Sequence, residues 1–204
     1  MPQADSRQNT DVCAILALGA NIPSAQGGPD LTLRVALLYL EQGGVRIDVV
    51  SRFYNTPCFP AGAGPDYVNA AARIRWAGSA ADLLALLHEV EAELGRERKQ
   101  RWGVRVADLD LIAFGDAVAP DRAVWQHWHD LDPAQQRAVA PQQLILPHPR
   151  LQERAFVLIP AADVAPDWRH PVLGLTITEM RDALPESLRA EVVPMKIPAQ
   201  STGN

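Results

Sequence analysis

Residues 95–114 read GRERKQRWGVRVADLDLIAF. The first half places Arg96, Arg98, Lys99, Arg101 and Arg105, five cations within ten positions, in a chain whose formal net charge is −5. Positive charge concentrated against an acidic background attracts anions. From Ala107 the pattern changes: Asp108-Leu109-Asp110-Leu111 alternates and Ile112-Ala113-Phe114 is apolar, as in a strand entering a core. Positions two apart on a strand share a face, so Asp108 and Asp110 are expected side by side, roughly 6–7 Å apart at Cα. Hard cations prefer oxygen ligands, and Mg²⁺ binds through one or two carboxylates together with substrate phosphates. Guanidiniums beside such a metal are what a transferring phosphoryl group needs. A basic run alone is commonly a solvated face, and Asp-x-Asp alone commonly lines an exposed strand. Their adjacency across Trp102-Gly103 points to a polyphosphate-and-metal site.

Outward from this strand, residues 79–94 read as an amphipathic helix, with Ser79 or Asp82 near its start and Gly95 closing it. Before it, 67–76 is a strand. The segment 56–65, TPCFPAGAGP, can be neither helix nor central strand because of its prolines and glycines, and is expected as a mobile, functional loop. Residues 45–54 alternate as a further strand. The stretch 31–42 is helical, with Asp30 as candidate N-cap and Gly43-Gly44 after it, and 12–19 (VCAILALG) is a buried strand ending in glycine. The order strand, helix, strand, strand, helix, strand is the βαββαβ pattern of ferredoxin-like α+β folds, an antiparallel sheet with helices packed on it in αβα layers. Beyond it, 120–143 is expected as a helical insert, 144–150 as an extended segment, and 154–164 as a helix stopped by Pro166. His127 and His129 stand at i, i+2, with nothing nearby to complete a metal set.

At 204 residues the length suits one domain, 1–204, with 1–10 and 195–204 expected to be flexible. A pI near 5.5 argues against a nucleic-acid partner. Cys13 and Cys58 have neither metal-ligand spacing nor a disulfide framework. The first ten residues are polar and no apolar run approaches a membrane span, so a cytoplasmic protein without a membrane partner is expected.

With these elements placed, the chain resembles the 6-hydroxymethyl-7,8-dihydropterin pyrophosphokinases of folate biosynthesis over about residues 12–170. The resemblance rests on an ordered set of motifs: Leu18-Gly19-Ala20-Asn21, Tyr54-Asn55-Thr56-Pro57, Asp66-Tyr67-Val68-Asn69-Ala70-Ala71, Gly95-Arg96-Glu97-Arg98, Arg101-Trp102-Gly103-Val104-Arg105, Asp108-Leu109-Asp110 and Pro147-His148-Pro149-Arg150. It implies an ATP-dependent diphosphotransferase giving AMP and the pterin diphosphate, acting as a monomer. By the same resemblance Asp108 and Asp110 would hold two Mg²⁺ ions, and Arg96 and Arg105 would close over the triphosphate. Glu91, Arg98, Lys99, Trp102, Leu111, His148 and Arg154 would surround ATP. The pterin would stack between Tyr67 and Phe156, with Asn69 and the surroundings of Gly19, Thr56, Pro57 and Phe59 reading its polar edge. Three positions depart from the family's pattern: His88 stands for a glutamine, Gln143 for an arginine, and Pro149 where an aromatic can sit. They bear on nucleotide affinity rather than on the metal pair. The insert could shield the nucleotide's rim or contact a partner. Two rival readings stay open on residues alone, a metal-dependent phosphohydrolase using the same aspartates and a ferredoxin-like binding module without enzymatic activity.

Overall fold

A computed structural model describes residues 11–58, 64–95 and 106–196. The expected α+β architecture is present as a six-stranded antiparallel sheet with helices on both faces. At its centre is β1 (Val12–Ala20), apolar on both of its faces because both are covered. On one side β1 pairs with β4 (Tyr67–Trp76), from Val12 opposite Trp76 to Ala20 opposite Val68. On the other side it pairs with β5 (Asp108–Phe114). The far edge of β4 carries β2 (Arg46–Val50) and β3 (Tyr54–Thr56), and a two-residue β6 (Val193–Pro194) pairs with β3.

Alternation in β1 divides the core in two. Ala14, Leu16 and Leu18 face Leu33, Leu37 and Leu40 of α1 (Pro29–Gln42) and Leu83, Leu87 and Val90 of α2 (Ala80–Glu93). Ile15 and Ala17 face Val157, Leu158 and Ala161 of a helix at Ala155–Val164 and Ile177 and Met180 of another at Ile177–Ala183. Between β5 and the first of these lie two short helices, α3 (Arg122–His129) and α4 (Pro133–Ala138), where the insert was expected. The helix at Ala155–Val164 is therefore α5, that at Ile177–Ala183 α6, and a last helix, α7, spans Glu186–Ala190.

Capping chemistry accounts for α2. The Ser79 hydroxyl accepts from Asp82 N–H at 3.1 Å and the Asp82 carboxylate accepts from Ser79 N–H at 3.0 Å, a reciprocal capping box. Gly95 follows the helix at φ +92°, where a Cβ would be strained. At α1 the expected cap is displaced. Gly28 is the N-cap and Pro29 takes the first helical position, where its fixed φ and missing N–H cost nothing, so Asp30 sits inside the first turn.

The single strand expected over 45–54 is two strands. Ser51 Oγ accepts from Ala71 N–H at 2.9 Å and donates to the Arg52 carbonyl at 2.6 Å, so a side chain stands in for the ladder acceptor and the edge breaks there. A register shift between Ile47 and Val49 adds a bulge. The break exposes Arg52 to α5. The Asp163 carboxylate accepts from Arg52 N–H, from the Arg52 guanidinium at 2.8 Å and from the Tyr54 hydroxyl at 2.8 Å. Together with the Arg73 guanidinium on the Val164 carbonyl at 3.0 Å, this ties the C-terminal end of α5 to the sheet and fixes where its N-terminal turn lies.

Candidate active site

Three strands bring the aspartates into a polar row. In register across the sheet stand Asn69 on β4, Gly19 on β1 and Asp108 on β5, with Ala71, Ala17 and Asp110 in the next row. Asp110 and Ile112 share a face, and Ile112 packs into the α5 core, so both carboxylates emerge on the α5 side of the sheet. Gly19 is small for a direct reason. A Cβ there would stand 2.9 Å from Asn69 Oδ1, so any side chain would displace the amide. Asn69 Nδ2 donates to Thr56 Oγ1 at 2.6 Å, which orients the amide and leaves its oxygen over Gly19. From the first turn of α5, Phe156 overhangs this row with 42% of its surface exposed. Gly19, Asn69, Asp108, Asp110 and Phe156 thus line one narrow cleft.

A second cavity, of about 610 Å³, opens on the other side of Asp110. That volume is in the range of small-molecule sites. Its wall includes Leu111, His148 and Arg154, three residues expected at the nucleotide, and also His88, Gln143 and Pro149, all three positions that depart from the family's pattern. Asp110 lines both spaces and so lies where they meet, with Asp108 beside it in the narrow cleft.

The electrostatics follow from crowding. Burial, then the Arg154 and Arg150 guanidiniums, hold the His148 imidazole well below its ordinary pKa, so it is neutral. His148 Nδ1 accepts from Arg150 N–H at 3.1 Å, which leaves the ring proton on Nε2 as a hydrogen-bond donor. Burial also lowers the Arg154 pKa, while Asp110 and then Asp108 oppose that shift, placing this guanidinium within electrostatic reach of both carboxylates. Arg154 also lies over the Phe156 ring, 5.8 Å from its centroid.

Glu91, expected at the nucleotide, is among the lining residues of neither cavity. It is buried, and its Oε1 accepts from Leu109 N–H at 2.8 Å, holding the backbone between the two aspartates. Tyr67 pairs with Thr56 in the ladder and lines neither cavity, and Pro57 is exposed. Phe59, Arg96, Arg98, Lys99, Trp102 and Arg105 lie outside the described residues. Among the described residues no group of three or more His, Cys, Asp or Glu side chains gathers for a metal.

Residues that sequence reasoning did not name individually for the site line the large cavity as well: Leu84 on α2, Trp128 on α3 within the insert that could shield the nucleotide's rim, and Val139 to Gln142, Leu144 and Ile145. The aromatic density of the insert was the available signal. Behind them the fully buried Trp125 donates from Nε1 to the Pro147 carbonyl at 2.8 Å, one residue before His148. Trp125 stacks on His129 and meets His170 edge to face, with ring centroids 4.8 Å and 5.1 Å away.

His170 gives this cluster a pH dependence. Burial, then the neighbouring His129, push its pKa from 6.5 down to about 4. Between those values the unfolded chain takes up a proton that the folded chain refuses, so stability present above about pH 6.5 falls as the pH drops toward 4. His148 acts in the same direction. Thermal melts of His170→Gln across pH 7 to 4.5 are expected to show a shallower decline than the parent. An unchanged slope would remove His170 from the acid limb.

Among the described residues no helix is long and apolar enough to cross a membrane. Comparison with known proteins gives the family. Residues 15–166 match the family described as 7,8-dihydro-6-hydroxymethylpterin-pyrophosphokinase. A 2-amino-4-hydroxy-6-hydroxymethyldihydropteridine pyrophosphokinase from Synechocystis is 34% identical over 82% of this chain and 73% of its own length. One from Pseudomonas aeruginosa is 35% identical over 83% of this chain and 90% of its own. Crystal structures of Plasmodium falciparum HPPK-DHPS share the fold, the wild-type protein with a TM-score of 0.59 at 16% identity over 87% of this chain. This chain spans 42% of that longer protein. A cleft carrying an aspartate pair, a cavity on its far side and a family match running from β1 to beyond α5 coincide in one stretch of chain, which belongs to the 7,8-dihydro-6-hydroxymethylpterin-pyrophosphokinase family.

Proposed function

We infer that this chain, an ATP-dependent diphosphotransferase of folate biosynthesis by its family, carries out its reaction where the two cavities meet at Asp110. That shared wall is the observation that carries the reading. A two-substrate transfer needs two adjoining spaces with the reacting atoms between them. The pterin of 6-hydroxymethyl-7,8-dihydropterin lies against the exposed Phe156 at the mouth of the narrow cleft, whose own volume is only about 30 Å³, with Asn69 reading a polar edge, and the large cavity takes ATP. The hydroxymethyl oxygen attacks the β-phosphorus and gives up its proton to solvent, the bond from that phosphorus to the oxygen bridging it to the α-phosphorus breaks, and AMP leaves with that oxygen.

The donor set fits Mg²⁺. Asp108 and Asp110 offer hard oxygens on one partly exposed face, and the incomplete protein set suits an ion that takes its remaining ligands from water and phosphate. Asp108 and Asp110 would hold two such ions, which when bound neutralise charge on the phosphates. The chain's own groups do the rest. Arg154 places positive charge beside the carboxylates, and the neutral His148 donates from Nε2 rather than taking up a proton. Arg96 and Arg105 belong to this reading as the triphosphate clamp, with Arg98, Lys99 and Trp102 beside them. The chain acts as a monomer in this reading, and the free thiols of Cys13 and Cys58 suit a reducing cytoplasm.

The test mixes the protein with ATP, Mg²⁺ and 6-hydroxymethyl-7,8-dihydropterin and follows the nucleotide product. AMP that appears only with the pterin is the expected result. ADP or free phosphate without a pterin requirement would reject diphosphate transfer and favour a phosphohydrolase.

A further inference from the structure

The large cavity is chemically uneven. Asp110, His148, Arg150 and Arg154 supply its charged and hydrogen-bonding side, whereas Leu84, Trp128, Val139 and Pro141 supply an apolar one. The two are separated along α2. Glu91 is bonded to Leu109, between the aspartates, and Leu84 stands seven residues earlier on the same helix, about 10 Å away along its axis. A nucleotide whose phosphates lie at the aspartates must therefore extend its uncharged base toward Leu84 and the insert.

We propose that Trp128, on the insert helix α3, is the base-contacting wall of this cavity and a determinant of nucleotide affinity that the insert adds to the site. The inference rests on the assignment of ATP to this cavity. Trp128 is half-buried and lines the cavity, so part of its indole is available to a flat ligand. Its position is set one turn earlier. Trp125 is buried and bonded to the Pro147 carbonyl, so α3 is pinned to the segment that carries His148 and presents Trp128 beside it. Stacking on an aromatic face suits a base because every base has a π-face. The helix thus has a binding role.

Equilibrium binding of Mg-ATP and of Mg-tripolyphosphate separates base contact from phosphate contact. Trp128→Ala is expected to weaken ATP at least about fivefold and leave tripolyphosphate unchanged. Trp128→Phe should retain ATP affinity. Trp128→Leu, which keeps apolar bulk without a π-face, should lose it. The KM for ATP should rise in Trp128→Leu while the KM for the pterin stays constant. Equal ATP affinity in the parent, Trp128→Leu and Trp128→Ala would overturn the proposal, as would parallel loss of both ligands in Trp128→Leu with its melting temperature unchanged. If the parent protein makes no pterin-dependent AMP, the reaction assignment falls. The contrast between ATP and tripolyphosphate still decides the base contact.

Discussion

Asp110→Asn is expected to slow pterin-dependent AMP formation by at least about a thousandfold, with a melting temperature close to that of the parent. The substitution keeps the shape of the side chain and removes its charge. In the structure that charge sits on the α5 face of β5, where both cavities reach it, and Arg154 lies within electrostatic range. Neutralising phosphate charge through a bound cation contributes several kcal/mol to such a transfer, and about 4 kcal/mol corresponds to about a thousandfold in rate. Stability is insulated because the position is held by the ladder to Ala17, whose hydrogen bonds belong to the backbone. Single-turnover rates at saturating substrates are the appropriate measure, since they separate chemistry from binding. A variant within tenfold of the parent would show that the reacting phosphates do not lie at Asp110.

Trp125→Ala is expected to destabilise the fold by about 3–5 kcal/mol, the range for removing a fully buried large aromatic. Two effects add. The cavity left between His129, His170 and the 147–148 segment cannot collapse easily, because rings pack on it from two directions. The Pro147 carbonyl also loses its indole donor, and an unpaired buried acceptor costs about 1–3 kcal/mol. Because that carbonyl immediately precedes His148, the loss is expected to raise the KM for ATP as well. Denaturant unfolding reads the first effect and steady-state kinetics the second. Trp125→Phe should fall between parent and alanine in stability, since it fills much of the space without restoring the hydrogen bond. A loss below about 1 kcal/mol in the alanine variant would contradict the anchoring role of this residue.

The parts of the molecule legible from residues alone were those governed by local periodicity. Alternation around Asp108 and Asp110 predicted a strand with both carboxylates on one face, and Ser79, Asp82 and Gly95 marked the ends of α2 through capping chemistry that acts within one turn. The break after Val50 was not legible, because it depends on the Ser51 hydroxyl bonding Ala71, twenty residues away. Nor was β6, a two-residue strand that exists only because β3 offers it an edge. The site divides in the same way. Gly19, Asn69, Asp108, Asp110 and His148 were named from motifs and Arg154 from the family resemblance, and the structure gathers them around two adjoining spaces. The role of Glu91 in bonding Leu109 needed the packing of α2 on β5, which no spacing rule supplies. Trp128 and the 139–145 segment line the cavity through tertiary packing of the insert, in which Trp125 is bonded to the Pro147 carbonyl.

The most direct test of the carboxylate pair as the meeting point of metal and nucleotide counts bound Mn²⁺, substituted for Mg²⁺, by electron paramagnetic resonance in the presence of a non-transferable ATP analogue. The parent chain is expected to bind two ions per molecule with the analogue present, and an Asp108→Ala, Asp110→Ala double variant to show only the ion content of the analogue in free solution. An unchanged stoichiometry and spectrum in the double variant would contradict the assignment of the metal and the triphosphate to this pair.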